Sequence, residues 1–300
     1  MRLRAARSAG RHPAAGGDEE PRPRDDIGPR KRARWFSRTS VSAVFITGLA
    51  IGVAVTVTPA EGAAGDIASS FARAVRQLVS TSQNGRAFTG IPAVGALFTT
   101  SHGKLGHHFC TASVVNSPGG DLLVTAAHCV SGTSGLAFVP GYDGSATPPY
   151  GVWTVTRVYT DQSWRASADP DDDVAFLQVG QPGSIVPIED VTGAEQLEIG
   201  TPARQLVEVI GYPDATNEPI ACRNWTREPM SDQLEFDCGG YTDGTSGGPF
   251  LADVNPLTGQ GTLVGVIGGY EQGGLTPQVS YSSMFRANVA ALYQLAEAGG

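Results

Sequence analysis

From Ile91 to about residue 283 the apolar residues come in short runs, each cut by glycine, proline or aspartate before a helix could form. The runs fall at 93–99, 109–115, 121–127, 136–139, 152–159 and 174–179, then after a break at 204–210, 219–225, 233–237, 262–268 and 276–283. Strands at this spacing imply antiparallel barrels or sandwiches rather than a doubly wound sheet. The chain closes on 284–298, where Phe285, Val289 and Leu292 form one helical stripe. The expected fold is all-β: two antiparallel β-barrels, 91–190 and 191–283, with a C-terminal helix at 284–298. At 41% hydrophobic content, 300 residues can bury one large core or two modest ones.

The residues before 91 differ in kind. Residues 1–60 hold 11 Lys and Arg against 5 Asp and Glu, whereas residues 61–300 hold 10 against 24. The acidic part lacks the clustered cations that a phosphate backbone requires, which argues against nucleic-acid binding. Residues 1–40, rich in Arg, Pro, Gly and Ala, read as a solvated, disordered basic tail. The uncharged run 41-VSAVFITGLAIGVAVTV-57, with Lys31, Arg32, Arg34 and Arg38 before it, fits an export segment at 41–60 better than a buried core helix. Cleavage after Ala60 or Ala64 would release the remainder, and retention would leave a membrane anchor through residues 41–57. Both outcomes place the later residues outside, secreted or tethered. Within 61–90, residues 66–80 form an amphipathic helix with Asp66 at its start, and 81–90 read as a polar linker, together a candidate propeptide.

All four cysteines, Cys110, Cys129, Cys222 and Cys238, follow the export segment. Their even number outside the cytoplasm points to two disulfides. They lack the paired spacing of a structural zinc site, so neither metal nor cofactor is expected. A bridge between Cys110 and Cys129 would close a short loop, worth ~3 kcal/mol in the chain-entropy picture.

Chemistry concentrates at 242-TDGTSGGPF-250, where glycines surround Ser246. Residues 244–248 match the G-x-S-x-G elbow of esterases, but that arrangement needs its histidine after the serine. The histidines are His12, His102, His107, His108 and His128, and all precede Ser246. An acid–histidine–serine order would need an upstream acid, and Asp121, the nearby candidate, sits in no motif. The remaining order is histidine, acid, serine.

The stretches 124-VTAAHCV-130, 172-DDVAFLQV-179 and 243-DGTSGGPF-250 occur in that order, and over residues 91–290 the chain resembles the trypsin/chymotrypsin-like serine proteases, especially secreted bacterial members. The resemblance implies His128 as general base, Asp173 as its orienting acid and Ser246 as nucleophile. Physical chemistry agrees with each assignment. A serine hydroxyl is a weak nucleophile that needs a base titrating near neutrality. Asp173 directly precedes an apolar strand, so its carboxylate can be buried beside the imidazole, whereas Asp169, Asp171 and Asp172 read as solvated loop. Glycine around Ser246 lets the Gly244 and Ser246 N–H groups turn toward a developing oxyanion.

Two departures from the family pattern stand out. Where trypsin-like zymogens carry an aspartate before the serine, this chain has Thr245, so activity is expected not to depend on a free N-terminus near residue 91, and a fusion there should be tolerated. At the base of the specificity pocket stands Gly240 instead of an acid, with Asp237 and Asp243 the nearest carboxylates. The glycine-rich strand 265–274 is expected to form the pocket wall, with Gly268 where many relatives place a serine that braces the aspartate, Tyr270 and Gln278 lining the pocket, and a neutral or apolar residue preferred before the scissile bond. The implied function is an exported, monomeric serine endopeptidase acting on protein or peptide substrates. Two alternatives are an inactive trypsin-like binding module and an exported esterase using the same triad.

Overall fold

The computed structural model describes residues 83–130 and 135–299. The basic tail, the export segment and the helix expected at 66–80 lie outside the described residues. Among the described residues no helix is long and apolar enough to cross a membrane.

The elements are β1 (Arg86–Ala87), β2 (Val94–Ser101), β3 (Lys104–Val115), β4 (Leu122–Thr125), β5 (Leu136–Pro140), β6 (Trp153–Thr160), α1 (Gln162–Ser167), β7 (Ala175–Gly180), α2 (Ile188–Thr192), β8 (Gln196–Leu197), β9 (Leu206–Gly211), β10 (Ile220–Met230), β11 (Gln233–Asp237), β12 (Pro249–Ala252), β13 (Thr262–Val266), β14 (Val279–Ser283) and α3 (Ala287–Ala298). The all-β class holds. Strands β2-β3-β4-β7-β6-β5 close into a six-stranded antiparallel barrel. The second half is an eight-stranded sheet in the order β14-β11-β10-β9-β12-β13-β8, with β1 alongside β10. Near its ends, β13 and β14 share no ladder. Instead Gly268 N donates to Tyr281 O at 2.9 Å and Val266 N to Ser282 Oγ at 3.0 Å, curling the sheet toward closure.

Period-two alternation explains why the strands are apolar on both faces. In β4, Leu123 enters the interior of the first barrel with Leu97, Phe138, Trp153 and Leu177. Its neighbours Leu122 and Val124 face a separate core with Phe176, Ile210, Leu251 and Leu263, where barrel and sheet meet. In β12, Phe250 likewise fills the second sheet's interior with Val209, Leu234 and Phe236, while Leu251 joins the shared core. Each fully buried Leu or Phe stabilises by about 1.5–3 kcal/mol, so a charge on either face would be costly. The shared core joins the barrel to the sheet.

Helix α3 seals that core with Val289, Leu292 and Ala296, which recur at one-turn spacing. It begins at Ala287 rather than 284, and the buried Phe285 packs just before it. Its first turn also reaches the site, since Asn288 Nδ2 donates to Asp172 Oδ1 at 2.7 Å.

The stretch expected as a linker is part of the domain over its described residues. Gly85 N donates to Gly239 O, and Gly239 N to Gln83 O, both at 2.7 Å. Strand β1 pairs with Ala221 and Ile220, and Phe88 N donates to Pro219 O at 3.1 Å. This polar segment has no apolar periodicity, and its pairing is all backbone, which side-chain pattern does not report.

Both disulfides are present, Cys110–Cys129 with Cα atoms 6.2 Å apart and Cys222–Cys238 at 6.6 Å, and no described cysteine is free. Such bridges match an extracellular or otherwise oxidising compartment.

Candidate active site

His128 lies in the 3₁₀ turn Ala127–Cys129, at the end of β4. The disulfide from Cys129 to Cys110 ties this turn to β3. Its ring is nearly enclosed, with 14% of the side chain exposed.

Asp173 follows a second 3₁₀ turn, Pro170–Asp172, and is completely buried just before β7. Three N–H groups satisfy its carboxylate. The His128 amide donates to Oδ1 at 2.9 Å, His128 Nδ1 lies 2.8 Å from Oδ2, and Gly269 N donates to Oδ2 at 2.9 Å. Burial of a charge is tolerable only with such a set of partners. Its neighbours are occupied elsewhere. Asp169 accepts from Asp171 N, Asp171 Oδ1 from Gln233 Nε2, and Asp172 Oδ1 from Asn288.

Ser246 sits on the loop that enters β12, wedged between the two halves of the molecule. Its carbonyl accepts from Thr111 N of β3 at 2.7 Å. Gly247 N donates to Ile267 O at 2.7 Å, and Ile267 N donates back to Gly248 O at 2.8 Å. A Cβ on residue 247 would overlap Thr125 Oγ1 and Thr111 O and lie 3.0 Å from Ala126 N, at a φ of +80°. Glycine here lets the serine loop seat against the chain two residues before His128. Among the described residues no hydrogen bond joins Ser246 Oγ to the His128 ring, and such contacts tighten when substrate binds.

Gly244 has φ +92°, and a Cβ there would meet Tyr212 O at 2.6 Å. Among the described residues, neither the Gly244 nor the Ser246 N–H donates a hydrogen bond to protein. The loop backing Gly244 is held by Asp214 N donating to Asp243 O at 2.8 Å and by the His108 ring, whose Nε2 lies 3.0 Å from Thr216 O. His108 is packed against Phe98 and Tyr142, and burial lowers its pKa below the ordinary histidine value.

Beside Ser246 opens a cavity of about 270 Å³, lined by Tyr241, Asp243, Ile267, Ser280 and the segment 272–277. The Tyr241 hydroxyl is turned away, donating to Val209 O at 2.7 Å.

The trypsin-like peptidase domain profile matches residues 110–266, just over half of the chain. The chain belongs to the trypsin-like peptidase family. No curated protein matches it. Among solved structures, the protease Anisep from Arthrobacter nicotinovorans aligns with TM-score 0.60 and 21% identity, covering 71% of this chain and 99% of the other. The thermostable serine protease AL20 from an extremophilic microorganism aligns with TM-score 0.59 and 24% identity, over 70% and 98% of the two chains. A Glu endopeptidase in complex with MPD aligns with TM-score 0.55 and 16% identity, over 73% and 98%. At these identities the structural likeness is one of fold.

The residues named from the sequence separate into two groups. His128 and Asp173 are hydrogen-bonded to each other, and Gly247, next to Ser246, abuts Thr125 and Ala126 just before His128. Of the pocket candidates, Gly240, Gly268, Tyr270 and Gln278 do not line the cavity. Gly240 backs onto Ile220, and Gly268 abuts Asp173, where a Cβ would come within 3.0 Å of Oδ2. Tyr270 meets Tyr281 edge to face, and Gln278 is exposed. Nor does the wall form as a strand through 265–274. Strand β13 ends at Val266, and Glu271, Gln272, Gly273 and Gly274 all take positive φ, coiling the chain so that 272–277 reach the cavity. Of the two nearby acids, Asp243 lines the cavity, while Asp237 pairs with Arg227 at 3.3 Å.

Sequence reading missed several supports. Gln233 is buried and bridges the Asp173 turn to the 268–270 segment, donating to Asp171 Oδ1 at 2.7 Å and accepting from Tyr270 N at 2.9 Å. In the strand QLEFD, where polar and apolar residues alternate, nothing in the sequence marks this glutamine out. Thr245 is buried, and its hydroxyl donates to Thr242 O at 2.7 Å, so the loop is internally satisfied without an ion pair.

Proposed function

We propose that this peptidase is an exported serine endopeptidase in which Ser246 attacks the peptide carbonyl while His128 takes its proton. Asp173 holds the imidazole in the tautomer that presents Nε2 to the serine and stabilises the imidazolium that forms. The Gly244 and Ser246 N–H groups receive the negative charge of the tetrahedral intermediate. Collapse expels the amine, protonated by His128, and leaves an acyl-enzyme on Ser246. Water activated through the same histidine then releases the acid. The observation that carries this reading is the Asp173–His128 pair, buried on the acid side, together with the close seating of Gly247, next to Ser246, on Thr125 and Ala126 just before His128.

The neutral lining of Ile267, Tyr241 and Ser280 supports a neutral or apolar residue before the scissile bond. Asp243, exposed at the rim, disfavours an acidic one. Residues 41–60 direct export. The chain acts as a monomer on protein or peptide substrates, without cofactor or nucleic acid.

A fluorophosphonate probe and two substrates test the proposal. The expected result is labelling of Ser246, with casein cleaved in preference to a short-chain ester. An unlabelled, folded protein would make it a binding module, and ester turnover without casein cleavage would make it an esterase.

A further inference from the structure

Thr111 makes four hydrogen bonds, two of them to carbonyls of the loop that carries Ser246. It lies in β3, one residue after Cys110, and is fully buried. Its N–H donates to Ser246 O at 2.7 Å. Its hydroxyl accepts from Tyr212 N at 2.9 Å and donates to Gly244 O at 3.0 Å. Its carbonyl accepts from Thr125 Oγ1 at 2.7 Å, which ties it to the strand leading into His128. One residue of the first barrel therefore grips the serine loop of the second sheet at both 244 and 246.

The consequence is geometric. The carbonyls of Gly244 and Ser246 belong to the 244–245 and 246–247 peptides, and Thr111 fixes both. The Ser246 N–H belongs to the 245–246 peptide between them, whose plane is thereby limited at each end. The Gly244 N–H belongs to the adjoining 243–244 peptide, and Gly244 has no Cβ to bar a peptide rotation. The hydroxyl of Thr111 supplies what the missing Cβ does not, a fixed direction for the residue that follows that N–H.

We infer that the Thr111 hydroxyl is a positioning group for catalysis: it keeps the Gly244 and Ser246 N–H groups aimed at the developing oxyanion. The inference rests on the role of those two groups proposed above. Thr111→Val keeps the branched shape suited to a strand and the backbone bond to Ser246 O, and removes only the hydroxyl. Because oxyanion donors act mainly in the transition state, the loss should fall on kcat and spare KM.

The test is steady-state turnover of a chromogenic peptide by the full chain carrying Thr111→Val, Thr111→Ser or Ser246→Ala. We expect Thr111→Val to lose on the order of 10- to 100-fold in kcat, part of the 10²–10³ that one lost donor costs, with KM within about twofold. Thr111→Ser should restore kcat to within about threefold of the parent. If the valine variant fails to fold, Thr111→Ala replaces it, with the same expected split. A hydroxyl-free variant with parental kcat, or a serine variant as slow as the valine one, overturns the inference. Full activity of Ser246→Ala would instead overturn the proposed mechanism, so the two failures are distinct.

Discussion

His128 and Asp173 are joined twice, through the histidine backbone N–H to Oδ1 at 2.9 Å and through Nδ1 to Oδ2 at 2.8 Å. The backbone contact fixes where the ring begins and the side-chain contact fixes which way it faces. An amide in place of the carboxylate cannot accept at both positions. Asp173→Asn should therefore fold and bind substrate yet lose on the order of 10⁴ in kcat. Steady-state peptide hydrolysis near pH 8 measures this, and a loss under tenfold would place the orienting acid elsewhere.

The strand Arg86–Ala87 and the reciprocal bonds between Gln83, Gly85 and Gly239 give the stretch before residue 91 a structural role of its own. Gly239 opens the stretch that runs through Tyr241 in the cavity wall to Ser246. Each lost backbone bond costs about 0.5–1.5 kcal/mol. A chain beginning at residue 91 should melt several degrees lower than one beginning at residue 81 and cleave peptides at least several-fold more slowly. Equal Tm and equal kcat/KM would show that the segment is dispensable and that the peptidase domain begins at 91.

Glu195 is a titratable group buried between the two halves of the fold. Its N–H donates to Val114 O, its carbonyl accepts from Asn116 N, and its Oε2 accepts from Gly261 N at 2.6 Å, while Oε1 has no partner. Burial raises its pKa from 4.5 to about 8. Between those values the folded protein keeps a proton that the unfolded chain has released, so stability falls as pH rises from 4.5 to about 8. Across the window the loss is on the order of 5 kcal/mol. Urea unfolding at pH 5, 6.5 and 8 should follow this slope in the parent chain and be flatter in Glu195→Gln. Parallel profiles would assign the pH dependence to other groups.

Much of this architecture is legible in the sequence because barrel strands buried on both faces leave unbroken apolar runs, as in Leu122–Val124 and Ala175–Leu177. The candidate site is legible so far as Ser246 sits in a motif set by backbone need. Gly247, whose Cβ would strike Thr111 and Thr125, can only be glycine. What escaped depends on pairing rather than pattern. Strand β12 was hidden by the glycines before it and the proline that begins it, and β1 has no apolar period. The extension of β3 back to Lys104 has no apolar run, with Lys104, Gly106 and His107 exposed, and is closed by a turn with His102 and Gly103 at positive φ. The stretch 265–274 does supply Ile267 and Gln272–Gly274 to the cavity, but not as one strand, because glycines that can border a strand can also coil, and only the positive φ values from Glu271 to Gly274 distinguish the two.

The central claim is that one alcohol performs the chemistry, and Ser246→Ala tests it most directly. With casein or a chromogenic peptide as substrate, turnover should fall on the order of 10⁶-fold while melting temperature and the disulfides are unchanged. A folded Ser246→Ala protein that retains more than a tenth of the parental kcat would contradict the account.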